Sequence, residues 1–240
     1  MLSKSQIKFV RSLQIRKFRD ESGCFVAEGD KCVNELLGHF PLELLVRPDE
    51  VSGKELEQLS ALRTPQGSIA VFHKREESLP SSDILCKDIT LVLDGVQDPG
   101  NLGTIIRTAD WFGVRNIICS KDTVDCYNPK VVQATMGALA RVHIFYADLE
   151  VFVSEYRKAV SAPVYGTLLN GRNMYADGAL SGNGLLIMGS EGSGISAALR
   201  DMVTHPLLIP SYPANTPTVE SLNVAIATSV VLAEMRRSQG

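Results

Sequence analysis

Along the first seventy residues the apolar positions follow two periods in turn. Ile7, Val10 and Leu13 recur every three positions, predicting an amphipathic helix whose other side carries Lys4, Lys8 and Arg11 at i, i+4 and i+7. Apolar runs at 24–27, 42–46 and 68–72 predict strands, with helices expected over 30–37 and 54–62. This alternation reads as a small α/β unit. From 73 to 88 the pattern gives way to a charged and then Pro- and Ser-containing stretch, so a boundary is expected near 76–87. The chain is accordingly divided into domains at 1–80 and 81–240.

The second part alternates as well. Strands are predicted at 89–93, 116–119, 142–146, 164–167, 184–188 and 206–209, and helices at 102–112, 130–139, 149–159, about 195–199 and 220–236. These strands are continuous apolar runs, as in a mainly parallel sheet covered on both faces, which makes the fold class α/β. The last helix is apolar on nearly every side from 224 to 233 and must be covered all round. A subunit interface and a wholly internal helix both satisfy that pattern.

Composition narrows the function classes. With 240 residues and 45% hydrophobic content the chain buries a substantial core, and disorder is excluded. A net charge of −3 advertises no polyanionic partner for the molecule as a whole. The distribution is uneven, however: residues 1–20 hold Lys4, Lys8, Arg11, Arg16, Lys17 and Arg19 against one acid, Asp20. Any nucleic-acid footprint is therefore local, and Lys4, Lys8 and Arg11 are its candidate substrate contacts. The basic, Ser-containing residues 1–19 also have the composition of a mitochondrial transit peptide. Five widely spaced cysteines without a C-x-x-C pair argue against a disulfide framework and a zinc site, so no metal and a reducing cytoplasm are expected. The most apolar segment, 222–233, falls short of the ~20 residues that span a bilayer.

Three loops that follow strands carry the candidate chemistry. In open α/β sheets ligands bind beyond the carboxyl ends of strands. The first loop, Asp94-Gly-Val-Gln-Asp-Pro-Gly-Asn-Leu-Gly103, has glycines for tight turns, Asn101 to cap the next helix, and Arg107 two turns further on, placed to fork onto a phosphate. The second, Gly189-Ser-Glu191-Gly192-Ser-Gly194, wraps three glycines around one acid. In the third, a proline-rich loop after Ile209 leads to Ser221 and Asn223, two polar residues on either side of Leu222 that enter an apolar helix. A glycine turn with a surface arginine, a helix-capping acid and a satisfied amide are the structural alternatives.

In this order the loops resemble the three motifs of the SpoU–TrmH family of RNA ribose 2′-O-methyltransferases, within the SPOUT superfamily. The likeness spans 88–236; the N-terminal part, with Phe25-Val-Ala-Glu-Gly, resembles a ribosomal-protein-like RNA substrate-binding domain. The resemblance implies a trefoil-knotted C-terminal domain, S-adenosylmethionine as co-substrate and a homodimer joined by the last helix and that of the first motif. It implies that Thr167, Gly189, Ile209 and Leu222 lie against the cofactor, and that Asn101, Arg107, Glu191, Ser221 and Asn223 form the catalytic pocket. It also treats residues 3–29 as folded domain rather than leader.

Ribosomal RNA is the expected partner, with transfer RNA the alternative. A catalytically silent RNA-binding protein is a further reading. A nucleotide-binding oxidoreductase lacks its G-x-G-x-x-G here. One departure from the family pattern is the longer loop over 211–219, where Tyr212 either stacks on an unpaired base or packs on prolines.

Overall fold

The computed structural model describes residues 2–237 other than 63, 66, 77, 177, 179, 214–218 and 220. Its elements begin with α1 (Lys4–Ser12), α2 (Arg16–Ser22), β1 (Cys24–Glu28), α3 (Asp30–Leu36), β2 (Leu42–Val46), α4 (Gly53–Leu59) and β3 (Ile69–His73). Next come α5 (Ser82–Leu85), β4 (Ile89–Asp94), α6 (Pro99–Trp111), β5 (Asn116–Ser120), α7 (Pro129–Thr135), β6 (His143–Ala147) and α8 (Leu149–Ala159). The chain closes with β7 (Val164–Asn173), β8 (Gly184–Gly189), α9 (Ala197–Arg200), β9 (His205–Leu208) and α10 (Val224–Arg237). They form two units, Met1–Glu77 with Asp125–Arg141, and Ser78–Val124 with Val142–Gly240.

The first unit is built on an antiparallel sheet in the order β1-β3-β2. Its core joins Val10 and Leu13 to Cys24, Val26, Val46, Leu59, Ile69 and Val71, so the apolar stripe of α1 faces the sheet. Helix α1 starts where Ser3 and Gln6 close a capping box, Ser3 Oγ accepting from Gln6 N–H at 3.2 Å and Gln6 Oε1 from Ser3 N–H at 2.9 Å. Lys4, Lys8 and Arg11 then point to solvent, as the periodicity predicts. The other bases of this stretch are differently engaged. Arg16 and Lys17 pair along α2 with Asp20 and Glu21 at 3.5 and 3.8 Å. Lys74, 2.7 Å from Asp20, holds that carboxyl below its ordinary range.

Arg19 is 2% exposed. Its Nε and Nη2 donate to Asp125 Oδ2 at 3.0 and 2.7 Å, and its Nη1 donates to the carbonyls of Leu13 and Gln14 at 2.9 and 3.1 Å. That fork ties Asp125–Arg141, with α7, into a unit whose other residues lie before residue 78. No local pattern announces it, because the partners are 106 positions apart.

The second unit holds a six-stranded sheet in the order β6-β5-β4-β8-β7-β9, every pairing parallel. The expected α/β class and parallel sheet are both present. Strand β8 runs between β4 and β7, with Asp94 opposite Gly189, while Thr167 lies opposite Leu207 of β9. The carboxyl ends of β4, β8, β7 and β9 thus share one edge of the sheet. Helices α6 and α10 pack together, Thr108 and Ser229 meeting at 3.2 Å.

Three expectations need correction. The stretch expected to be irregular at 76–87 contains α5, a single turn. Strand β7 runs on to Asn173, because an irregularity between Thr167 and Arg172 lets it rejoin β9. Helix α10 begins at Val224, not 220, because Asn223 stays outside it and caps it, its Oδ1 accepting from the N–H groups of Ala225 and Ile226 at 3.0 and 3.3 Å. Among the described residues no helix is long and apolar enough to cross a membrane.

Candidate functional site

The loop after β4 turns at Gly95, whose φ of +73° is open to glycine at little cost, and Gly95 N–H donates to Ser120 Oγ at 2.9 Å. Helix α6 starts earlier than predicted. Pro99 occupies its first turn and Asp98 caps it, accepting from Asn101 N–H at 2.8 Å. Asn101 is therefore not the cap. Relieved of that task, its side-chain amide donates to Glu191 Oε1 at 3.0 Å.

Glu191 sits on the loop after β8. There Ser190 and Gly194 exchange backbone hydrogen bonds of 3.2 and 2.9 Å, folding the loop back on the strand end. Gly189 is required at the base of this turn, since a Cβ there would collide with the backbone of Gly194 and Ile195. The loop is held to β4 by Ser196 N–H, which donates to Asp94 Oδ2 at 2.7 Å.

Asn223 completes the cluster. Its Nδ2 donates to Asn101 Oδ1 at 2.9 Å and also to Glu191 Oε1, while its Oδ1 caps α10. Asn101, Glu191 and Asn223, 122 positions apart at the extremes, thus form one hydrogen-bonded triad. Only Oε1 of Glu191 is used; Oε2 has no partner among the described residues. Asn101 and Glu191 of the triad line a cleft of about 610 Å³, to which Asp94, Asp98, Asp122 and the 190–194 loop contribute.

Other expected site residues lie apart from this cluster. Arg107 occupies the exposed stripe of α6 with Thr104 and Trp111, has no hydrogen bond or ion pair among the described residues and does not line the cleft. It lies six positions after Asn101, roughly 9 Å along the helix axis. Ser221 and Leu222 are exposed in the segment before Asn223. Thr167 lies on β7 with its hydroxyl 4.0 Å from Met188 Sδ, Gly189 ends β8, and Ile209 follows β9. None of Thr167, Gly189, Ile209 and Leu222 lines the cleft. Lys4, Lys8 and Arg11 belong to the first unit, where Arg11 and Lys54 border a groove of about 410 Å³. Tyr212 is exposed, and 214–218 of its loop lie outside the described residues. Asp98 and Asp122 escaped the sequence reading, although Asp122 follows β5 at the same sheet edge and the strand-end rule could have found it.

Among the described residues no three His, Cys, Asp or Glu side chains group as metal ligands.

Comparison with known proteins bears on the same residues. Residues 88–233 match the SpoU rRNA Methylase family, and residues 4–70 match the MRM3-like substrate binding domain. A curated relative from Bacillus subtilis, the 23S rRNA (guanosine(2553)-2′-O)-methyltransferase RlmP, is 32% identical, with 96% of each chain covered. Among solved structures, a putative RNA methyltransferase of the TrmH family from Porphyromonas gingivalis superposes with a TM-score of 0.88 at 39% identity, covering 99% of both chains. An AdoMet-bound rRNA methyltransferase from Sinorhizobium meliloti gives a TM-score of 0.87 at 32% identity, covering 99% of this chain and 96% of its own.

Proposed function

Because this chain belongs to the SpoU rRNA methylase family, we propose that it transfers a methyl group from S-adenosylmethionine to a guanosine ribose 2′-hydroxyl in 23S rRNA. The observation that carries the reading is the triad of Asn101, Glu191 and Asn223, drawn together from three loops, with Asn101 and Glu191 lining a cleft at the carboxyl edge of the sheet. Each loop is one whose sequence pointed to a ligand. The guanosine and the 23S rRNA come from the name of the Bacillus relative.

S-adenosylmethionine, when bound, supplies an electrophilic methyl on a cationic sulfur. Thr167 on β7, Gly189 at the end of β8, Ile209 just after β9 and Leu222 just before α10 would hold it. The fit is chemical: a cationic ligand at this edge meets the carboxylates of Asp94 and Glu191, on the loops beside Gly189. Asn101 and Asn223 fix the carboxylate of Glu191 by donating to one oxygen, which leaves the other to accept from a ribose hydroxyl. Ser221, two positions before Asn223, adds a hydroxyl to the pocket. Arg107 binds the phosphate next to the target ribose and so orients the 2′-hydroxyl, and positioning of this kind supplies much of a transfer rate. A guanidinium with a pKa above ~12 is a poor base, so the departing proton goes to phosphate or water.

Lys4, Lys8 and Arg11 neutralise RNA phosphates from the first unit, the RNA-binding domain of this reading. A homodimer through α6 and α10 covers the stripe that the fold leaves open, where Trp111 is 84% and Ile226 52% exposed. A wholly internal last helix is inconsistent with that exposure. The cytoplasm is the compartment of this reading.

Calorimetry with S-adenosylmethionine and tritiated methyl transfer to unmodified 23S rRNA test the proposal together. Cofactor binding with label in a guanosine ribose is expected. Cofactor binding without transfer to ribosomal or transfer RNA would favour a silent RNA-binding protein, and absence of cofactor binding would reject the enzyme.

A further inference from the structure

Four carboxylates border the cleft of the second unit, and in three of them one oxygen is already engaged. Asp94 accepts from Ser196 N–H, Asp98 from Asn101 N–H, and Glu191 from the side-chain amides of Asn101 and Asn223. Asp122, on the loop after β5, has no hydrogen bond or ion pair among the described residues. It stands close over the first loop: its Oδ2 is 3.4 Å from the point that a Cβ on Gly95 would occupy.

An ionised carboxylate only accepts hydrogen bonds, so the group that meets Asp122 has to donate. An RNA phosphate is excluded by charge. The candidate cofactor residues Thr167, Gly189, Ile209 and Leu222 do not line this cleft, which leaves its volume of about 610 Å³ to the acceptor nucleoside. A nucleoside methylated on its ribose is read most readily when unpaired, with its Watson–Crick edge free.

The four bases differ on that edge. Guanine presents two adjacent donors, N1–H and the N2 amino group, in register with the two oxygens of a carboxylate. Adenine and cytosine each set a ring acceptor beside their amino donor, and uracil flanks one N3–H with two carbonyls. Each of these three would turn at least one lone pair toward Asp122.

We propose that Asp122 is a specificity-determining residue, which selects guanine at the methylated position by accepting from N1–H and the N2 amino group. The inference rests on methyl transfer to a guanosine and adds the residue that chooses the base. Asp122 stabilises the bound base only and takes no part in the transfer.

The test uses the full chain and 23S rRNA assembled by ligation with guanosine, inosine or 2-aminopurine riboside at position 2553, the position in the name of the Bacillus relative. Inosine lacks the N2 amino group, and 2-aminopurine lacks N1–H. Wild type is expected to favour guanosine over each analogue by about 10-fold or more in kcat/KM, the discrimination typical of one arm of a bidentate base contact. For Asp122→Ala and Asp122→Asn the preference should fall to about 2-fold or less, with S-adenosylmethionine affinity unchanged. Should the Ala variant fail to fold, the isosteric Asn variant carries the comparison. Wild-type preference retained in either folded variant, or no preference in wild type, overturns the assignment. No transfer by wild type to the guanosine RNA would instead reject the methyltransferase reading, and this inference with it.

Discussion

Arg19 in the first unit and Glu191 in the second each anchor a charged hydrogen-bond network assembled from distant parts of the chain, and the two networks are finished to different degrees. Arg19 is nearly inaccessible, and its fork is spent on the Asp125 carboxylate and two backbone carbonyls. Glu191 is exposed, and its network uses one carboxylate oxygen while the other stays open toward a cleft. Burial forces the first outcome, because a buried charge left without partners costs several kcal/mol. Exposure permits the second, since water serves an open oxygen until a ligand displaces it. The contrast separates a group that holds the fold from one kept available for chemistry.

Arg19→Ala should strain that contrast most. Leaving Asp125 buried without its cation is expected to cost about 3–5 kcal/mol in urea unfolding. A cost under ~1 kcal/mol would mean that water or relaxation replaces the fork. Arg107→Ala comes next, an exposed residue predicted to matter for rate and not for stability. Methyl transfer should fall about 100-fold, in the range for losing one electrostatic contact in a transition state, with cofactor affinity preserved. Arg107→Lys should not restore it, and near-normal transfer in the Ala variant would remove Arg107 from the site.

Replacing Lys4, Lys8 and Arg11 together by Gln should weaken RNA binding and lower its salt slope by about 2–3. An unchanged slope would make the stripe an ordinary solvated face.

The smallest effect concerns Tyr156, whose hydroxyl is buried with no hydrogen-bond partner among the described residues and whose pKa burial pushes up to about 12. Tyr156→Phe should stabilise the protein by about 1 kcal/mol at neutral pH, the cost of an unsatisfied buried hydroxyl. The folded pKa lies above the ordinary 10.0, so the protonated phenol supports folding fully below pH 10 and that support is lost as pH rises toward 12. Wild type should therefore lose more stability than the Phe variant between pH 10 and 12; identical slopes would place the phenol in contact with water.

Periodicity and strand-end logic reached far into this chain because most of its elements are local. The run at 42–46 became β2 unchanged, and those at 89–93 and 184–188 became β4 and β8 with one residue added. The same logic found Asn101, Glu191 and Asn223, since each lies next to a strand end or helix start whose turn chemistry is written in Gly, Pro and Asn. It misjudged Asn101 as a cap because the helix begins a turn earlier, at Pro99, where Asp98 caps it and accepts from the N–H of Asn101 itself. Arg19 was counted among available bases, since nothing local in the sequence shows that Asp125 claims it. Strand order, the late arrival of β8 between β4 and β7, and the adoption of Asp125–Arg141 by the first unit depend on pairings over long separations, which no window of residues encodes.

The difference between the two networks is tested most directly by Glu191→Gln, measured for unfolding midpoint, S-adenosylmethionine affinity and tritiated methyl transfer to 23S rRNA on one preparation. An amide keeps the size of Glu191 and one acceptor while removing its charge, so an exposed functional carboxylate predicts an unchanged midpoint and transfer reduced about 100-fold. A lowered midpoint with undiminished transfer per folded molecule would show that Glu191, like Arg19, is there to hold the fold.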